Sequence, residues 1–196
     1  MGDPKFLRRT YERPKHPWEA VRMADENKIT AKYGLKNKRE LWKAQFRLRN
    51  FRRQARELQA RVRAKEAQAE KETKWLLDSL ARMGVLPIGA NSLDDVLSLT
   101  LESLLERRLQ WIAYVKGLSS SLSGSRQLIV HGHVSIRNRK VRSPGYLVSR
   151  EEEAQVSYNA FSPLLDDAHP VRVAIKQKIE KGEGARAVSA PPVAAG

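Results

Sequence analysis

The chain has 196 residues, 41% of them hydrophobic, which suits one ordinary domain or two small ones and excludes a wholly disordered protein. Lys and Arg number 37 against 22 Asp and Glu, a net charge of +15 that calls for a polyanionic partner, and the absence of cysteine removes disulfides, thiolate zinc sites and cysteine nucleophiles. No apolar run approaches the roughly 18 residues of a membrane span, and Met1-Gly2-Asp3-Pro4-Lys5-Phe6 lacks a secretory apolar region and has Phe6 where a myristoylation signal takes Ser or Thr, so a soluble intracellular protein is expected.

Residues 1–17 place Pro4, Pro14 and Pro17 among Arg8, Arg9, Arg13 and Lys15, a composition that buries nothing and predicts an extended, mobile basic arm. A helix is expected from Trp18 to Tyr33, closed by Gly34. Leu41, Ala44, Leu48, Phe51, Ala55, Leu58 and Val62 then recur at spacings of three and four, which predicts one long helix from about Asn37 to Glu70 with a narrow apolar stripe. Its other faces carry Lys38, Arg39, Lys43, Arg47, Arg49, Arg52, Arg53, Arg56, Arg61 and Arg63. Like charges at i, i+4, such as Arg49 with Arg53, destabilise a helix by roughly 0.2–0.5 kcal/mol per pair, and phosphates would offset that repulsion. Trp42 and Phe46 lie four apart and are expected to widen the core face.

A short helix is expected from Trp75 to Met83, ended by Gly84 and Pro87. Ser92-Leu93-Asp94-Asp95 has the form of a capping box and starts another, and the adjacent aspartates point apart, unsuited to a catalytic or metal pair. Leu101, Leu104, Leu105, Leu109 and Ile112 continue helical spacing. After Gly117 a helix from about Ser121 to Val130 packs Leu122, Ser125, Leu128 and Ile129 inward and closes at Gly132, completing a helix-turn-helix layout. Val134, Ile136, Val141, Leu147, Val148, Val156 and Tyr158 fall in short alternating runs broken by Asn138-Arg139 and Pro144-Gly145, which predict three or four small strands. The stretch 182–196, rich in Gly, Ala and Pro, is expected to be disordered. The expected class is α+β, mainly helical at the N-terminal side, with two helices on a small, mostly antiparallel sheet beyond it.

Charge is unevenly placed. Residues 1–74 hold 22 bases and 10 acids, 75–106 hold one and five, 107–150 hold nine bases and no acid, and 151–196 hold five and seven. A solubilising surface mixes both signs, so 44 residues without a carboxylate point to a phosphate backbone. His131-x-His133 has no third ligand at metal spacing, and neither a metal nor a cofactor is expected.

The run Leu105-Glu106-Arg107-Arg108-Leu109, then Gly117-Leu118, then Ser125 to Val134 (Ser-Arg-Gln-Leu-Ile-Val-His-Gly-His-Val), closely resembles the alpha-L RNA-binding module, as does Val141-Arg142-Ser143-Pro144-Gly145-Tyr146-Leu147-Val148. From Gly2-Asp3-Pro4-Lys5 through Leu35-Lys36-Asn37-Lys38 to Ser162-Pro163 the chain resembles the family of ribosomal protein four of the small subunit, archaeal type. The resemblance implies a structural, non-enzymatic primary binder of 16S-type ribosomal RNA in the cytoplasmic ribosome. Such a protein nucleates assembly of the 5′ domain and supports translational accuracy beside the channel by which mRNA enters. It abuts ribosomal protein five of the small subunit. The expected organisation is a basic arm over 1–17, a helical RNA-binding domain over 18–103, the module over 104–160, a C-terminal segment over 161–181 and a tail over 182–196.

The expected RNA-binding residues are Arg8, Arg9 and Arg13 in the arm, and Lys38, Arg39, Lys43, Arg47, Arg49, Arg52, Arg53 and Arg56 on the long helix. In the module they are Arg107, Arg108, Lys116, Ser119, Ser121, Arg126, Gln127, His131, Gly132, His133, Arg137, Arg139, Lys140 and Arg142. Two departures from the family stand out. Ser119 to Gly124 replace the usual bases between the two helices, and Arg139 replaces the usual Gly at the hairpin, which allows a turn longer than two residues. The alternative reading, an alpha-L factor serving an RNA-modifying enzyme or ribosome rescue, lacks a catalytic domain here and matches the module alone.

Overall fold

The computed structural model describes residues 10–180 except 88, 90 and 91. Arg8, Arg9, the first half of the expected arm and the tail over 182–196 lie outside the described residues. The chain divides into two units, Met1–Leu77 with Gly89–Leu104, and Asp78–Ile88 with Leu105–Gly196. Their elements are nine helices and three strands among the described residues, an α+β fold. No helix there is long and apolar enough to cross a membrane.

In the first unit, α1 (Ala20–Lys32) and α2 (Lys38–Arg63) are joined by a tight connection. Asn37 caps α2 by accepting from Glu40 N at 3.3 Å, satisfying one of the free N–H groups of the first turn. The stripe read from spacing holds, since Leu41, Leu48, Ala55 and Leu58 are buried, each leucine contributing about 1.5–3 kcal/mol of hydrophobic burial. Val62, at its far end, is exposed. The helix itself stops at Arg63, seven residues short of the expected end. Lys65 takes a left-handed φ of 58°, its N–H bonds Val62 O at 2.9 Å, and Glu66 N–H bonds Arg61 O at 3.3 Å. That is the closing pattern usually built on glycine, and a lysine there hides it from sequence.

A second helix, α3 (Ala67–Arg82), starts at once and absorbs the short one expected from Trp75. The capping box at Ser92 is formed and opens α4 (Leu93–Ser98), which packs on α2. Asp94 Oδ1 accepts from Gln59 Nε2 at 2.7 Å and Asp95 Oδ2 from Ser92 N at 3.3 Å, so both neighbouring aspartates have structural duties, and Arg52 donates to Leu99 O at 2.6 Å.

Glu26, only 5% exposed, is the polar joint between α1 and α2. It accepts from Arg22 at 2.6 Å and from Trp42 Nε1 at 3.1 Å, with Lys38 Nζ 3.4 Å from its second oxygen. Burial works to raise its pKa, but the hydrogen bonds of Trp42 and Arg22, the Arg22 charge and Lys38 outweigh it and hold the carboxyl below the ordinary glutamate value. A carboxyl depressed in the folded state contributes stability that is complete above its unfolded pKa and disappears as the pH falls through the folded value. Urea unfolding between about pH 5 and 3 should therefore lose stability less steeply in Glu26→Gln than in the unchanged protein; identical acid limbs would remove Glu26 from this role.

The described half of the expected arm is fastened to this unit. Tyr11 stacks on Trp42 at 6.3 Å between centroids, Arg39 lies over the Tyr11 ring at 5.7 Å, and Glu12 pairs with Arg49. Arg22 also donates to the carbonyls of His16 and Pro17, both at 2.9 Å. Residues 11–17 thus hold contacts to this unit, with aromatic stacking and ion pairing standing in for the apolar core that the segment lacks.

The expected continuous helical run through Leu101 and Ile112 divides into α5 (Leu101–Glu106) and α6 (Leu109–Val115). Arg108 between them is extended and bridges to Leu147, while Val148 N bonds Arg107 O at 3.0 Å and Leu109 N bonds Tyr146 O at 2.8 Å. Backbone pairing with a segment some forty residues on outcompetes the helix. Ser121 caps α7 (Leu122–His131), and β1 (Val134–Ile136) pairs antiparallel with both β2 (Arg139–Lys140) and β3 (Val156–Tyr158), giving the order β2-β1-β3.

Opposite β2, Ile136 faces Arg139, so the hairpin turn is the two residues Arg137 and Asn138, with φ of 49° and 62°. Two positive φ values suit the right-handed twist of a tight hairpin, so the turn is not longer than two residues and does not lie at Asn138-Arg139. Val141, Leu147 and Val148 fall outside the three strands. The core of this unit is Leu109, Ile112, Ala113, Ile129, Val134, Ile136, Val148 and Val156, with Leu128 only partly buried beside it.

Between the strands lies α8 (Arg150–Glu153), started by a full capping box of Ser149 and Glu152. Beyond a 3-10 turn at Pro163–Leu165 comes α9 (Pro170–Glu180), which the sequence reading leaves without an element. Pro170 at its first position, with the i, i+4 pair Ile175 and Ile179, is the signal that was available.

Candidate nucleic-acid interface

On α2, the buried stripe forces the bases outward. Arg39, Lys43, Arg47, Arg49, Arg53 and Arg56 are exposed, as is Arg13 ahead of the helix. Arg39, Lys43 and Arg47 follow one another at intervals of four and so share one face. Arg53 lies 3.8 Å from Glu57, and both are open to solvent, where such a pair contributes roughly 0–1 kcal/mol and yields easily to a phosphate. Lys38 and Arg52 are half-buried and engaged with Glu26 and Leu99 O, as described above. Further along, Arg61 is gripped by Glu66 at 2.7 Å and Glu72 at 2.6 Å, whose hydrogen bonds raise its pKa.

In the module the structure sorts the expected residues into two groups. The first serves the fold. Arg107 donates to Glu153 at 2.7 Å and to Val148 O at 2.8 Å, and Arg108 is buried. Lys116, though exposed as a residue, turns its ammonium inward to donate to the carbonyl of Glu153, and the desolvation of that group pushes its pKa down despite the pull of the Glu153 charge. Ser119, 2% exposed, shares a 2.5 Å hydrogen bond with Ser125 Oγ and donates to Ser121 O at 2.8 Å, so it cannot meet a phosphate. Ser121 is exposed and its oxygen accepts from Gly124 N at 3.1 Å, which leaves its O–H free to donate outward.

Gly132 ends α7 at φ 80°, a conformation costly for any residue with a Cβ, and a Cβ there would overlap the Lys140 side chain. Its task is the helix end and the close passage of Lys140. His133 is half-buried, with Nδ1 2.8 Å from Ser162 Oγ.

The second group is open to solvent: Gln127 and His131 on α7, and Arg137, Arg139, Lys140 and Arg142 on the hairpin and the segment after it. Arg126 is half-buried near Gln110 Oε1 at 3.4 Å. Lys140 reaches back over Gly132, so the hairpin and the end of α7 form one basic surface.

The acid-free run 107–150 has counter-charges immediately after it, which the charge count by segment did not resolve. Glu153 takes Arg107, Glu151 takes Arg137 at 3.0 Å, and Glu152 accepts from Tyr146 at 3.0 Å. Three successive carboxylates on the single turn of α8 radiate in different directions, which is how each reaches a different partner. Their signature was the Ser149-x-x-Glu152 box. Among the described residues no cluster of His, Asp and Glu could hold a metal ion.

Arg107 therefore has a part in the fold besides the RNA contact expected of it. Arg107→Ala should cost about 1–3 kcal/mol, because it strips the Val148 carbonyl and the Glu153 carboxylate of a half-buried charged donor. Arg139→Ala should leave stability within about 0.5 kcal/mol. Thermal melts of the two variants check this, and equal melting points would return Arg107 to the first expectation.

The module's segment 107–153 matches the family model for the S4 domain. Residues 5–106 match the model described as the ribosomal protein S4/S9 N-terminal domain, which takes in slightly more than half of the chain. The chain belongs to the uS4 family. Among its relatives, the small ribosomal subunit protein uS4 of Thermoplasma volcanium is 46% identical over 181 residues, covering 92% of this chain and 90% of the relative. That of Methanococcus aeolicus is 48% identical over 172 residues, covering 88% and 96%. Membership in uS4 agrees with the resemblance drawn from the module and from the N-terminal motifs, and the helical region followed by a small antiparallel sheet is the fold expected on that basis.

Proposed function

We propose that this chain is a structural constituent of the small ribosomal subunit, acting in translation by binding ribosomal RNA rather than by catalysis. The observation that carries the proposal is the pairing of two exposed basic surfaces, one on α2 and one on α7 with the hairpin, with membership in a family whose relatives are named small ribosomal subunit protein. Arg39, Lys43, Arg47, Arg53 and Arg56 meet phosphates from α2, with Arg13 and the bases Arg8 and Arg9 ahead of it. Gln127, His131, Arg137, Arg139, Lys140 and Arg142 do so from the module. Guanidinium groups suit this task because their fork of donors matches two phosphate oxygens, and a helical RNA surface is then recognised mainly by its shape.

In the cytoplasmic ribosome the chain binds 16S-type RNA early, nucleates the 5′ domain and supports accuracy beside the channel by which mRNA enters, next to ribosomal protein five of the small subunit. Sedimentation of ribosomal particles tests the reading. The chain is expected to travel with free small subunits, and association with large subunits instead would turn the assignment toward a rescue factor carrying the same module.

A further inference from the structure

Phe161 is 94% exposed, although a phenylalanine side chain gains by being buried. The loop that carries it is held firmly. Buried Asn159 donates from its backbone to His133 O at 2.8 Å and from its side chain to Gly132 O at 3.3 Å, and its Oδ1 accepts from Phe161 N at 3.4 Å. Ser162 N bonds Asn159 O at 2.9 Å, while Ser162 Oγ bonds His133 Nδ1 at 2.8 Å and accepts from Leu164 N at 3.2 Å. The backbone on both sides of the ring is tied, so Phe161 stands in solvent on a fixed support.

Around that support stand the cations Lys140, Arg172 and Lys176 against the carboxylates Asp166 and Asp167, a small positive excess. His131 lies 6.5 Å from His133, ring to ring, and Lys140 passes over Gly132. Burial first, and then the charges of His131, Lys140 and His169, hold His133 below the ordinary imidazole value. The neighbouring Asp167 is taken by Lys176 at 2.8 Å and Arg172 at 3.0 Å. A rigid exposed aromatic with cations in the same region is a combination that binds single-stranded nucleic acid, the ring taking a base face and the cations taking the adjoining phosphates.

We propose that Phe161 is a stacking platform for one unpaired base of an RNA strand whose adjoining phosphates lie against Lys140 and His131. The site rests on the RNA-binding function proposed above and adds to it a single-strand contact beside the surfaces that recognise RNA by shape. Asn159 and Ser162 are positioning residues, since they act only by holding the loop.

The test uses the full chain with three probes: a small-subunit ribosomal RNA transcript, a single-stranded oligoadenylate carrying 2-aminopurine, and a perfect RNA duplex. Binding of the oligoadenylate should quench the 2-aminopurine. Phe161→Ala should abolish the quench and weaken binding by roughly 5- to 150-fold, the worth of one stacked base, with duplex binding and melting temperature unchanged. Phe161→Tyr should restore the quench and Phe161→Leu should not, which separates stacking from plain apolar burial. Absence of quenching by the unchanged protein, or an unaltered quench and affinity in Phe161→Ala, overturns the site while binding of the transcript keeps the general function standing. Failure of the unchanged protein to bind the transcript overturns both. Phe161→Ala that binds every RNA normally but no longer sediments with small subunits assigns the ring to a protein contact and likewise overturns the proposal.

Discussion

Raising the salt from about 50 to 200 mM is expected to weaken binding to small-subunit RNA by roughly 10³- to 10⁵-fold, the loss that accompanies about 6–10 phosphate contacts. The exposed bases supply that many contacts without Arg107, Arg108 and Lys116, which serve the fold: α2 presents Arg39, Lys43, Arg47, Arg53 and Arg56, and the hairpin region presents Arg139, Lys140 and Arg142. Each contact releases condensed counterions, and the entropy of that release falls as bulk salt rises. Removing one exposed base, as in Arg139→Ala, should lower the slope of log affinity against log salt by about one and weaken all RNA sequences alike. A nearly flat salt response in a filter-binding titration would sink the electrostatic account.

The second large effect is on stability. Ile129 is completely buried, at 0% exposure, among Leu109, Ile112, Val134, Ile136, Val148 and Val156, where α7 meets the sheet. Ile129→Ala should cost about 2–5 kcal/mol, the transfer free energy of the lost methylenes together with the cavity left beneath the helix. Against a typical total of about 5–15 kcal/mol that is enough to endanger the unit at working temperature.

Leu128 next to it is only partly buried, which corrects the expectation that both residues pack equally inward. Its truncation should cost clearly less, because solvent already reaches the site and little cavity can form. Urea unfolding of the two alanine variants decides between them, and a larger loss at Leu128 would show that the faces of α7 have been exchanged. RNA affinity measured well below the unfolding transition should stay normal in both.

Wherever the interactions were local and periodic, the sequence by itself determined the outcome. The stripe of Leu41, Leu48, Ala55 and Leu58 set which side of α2 is buried and therefore which bases face solvent. The Ser92 box set the start of α4, and the residues around Gly117 and Ser125 to Val134 carried both the module and the family. Each of these features is decided by neighbours within about one or two helical turns, so spacing alone records it.

The tertiary structure decided what depends on partners far along the chain. Arg107 and Arg108 look like further exposed bases on a continuing helix until segment 146–148 pairs with their backbone and Glu153 takes the Arg107 guanidinium. Glu26 looks like an ordinary surface acid of α1 until Trp42 and Lys38 of α2 close over it. Ser119, the turn at Arg137 and Asn138, and the end of α2 at Lys65 escaped for a different, local reason: each places a residue type in a backbone or burial state that its neighbours in sequence do not announce, such as a lysine at a left-handed φ. A charged or polar side chain has one appearance in sequence and two fates, solvent or a specific partner, and only the geometry of a distant segment removes the water and supplies the partner.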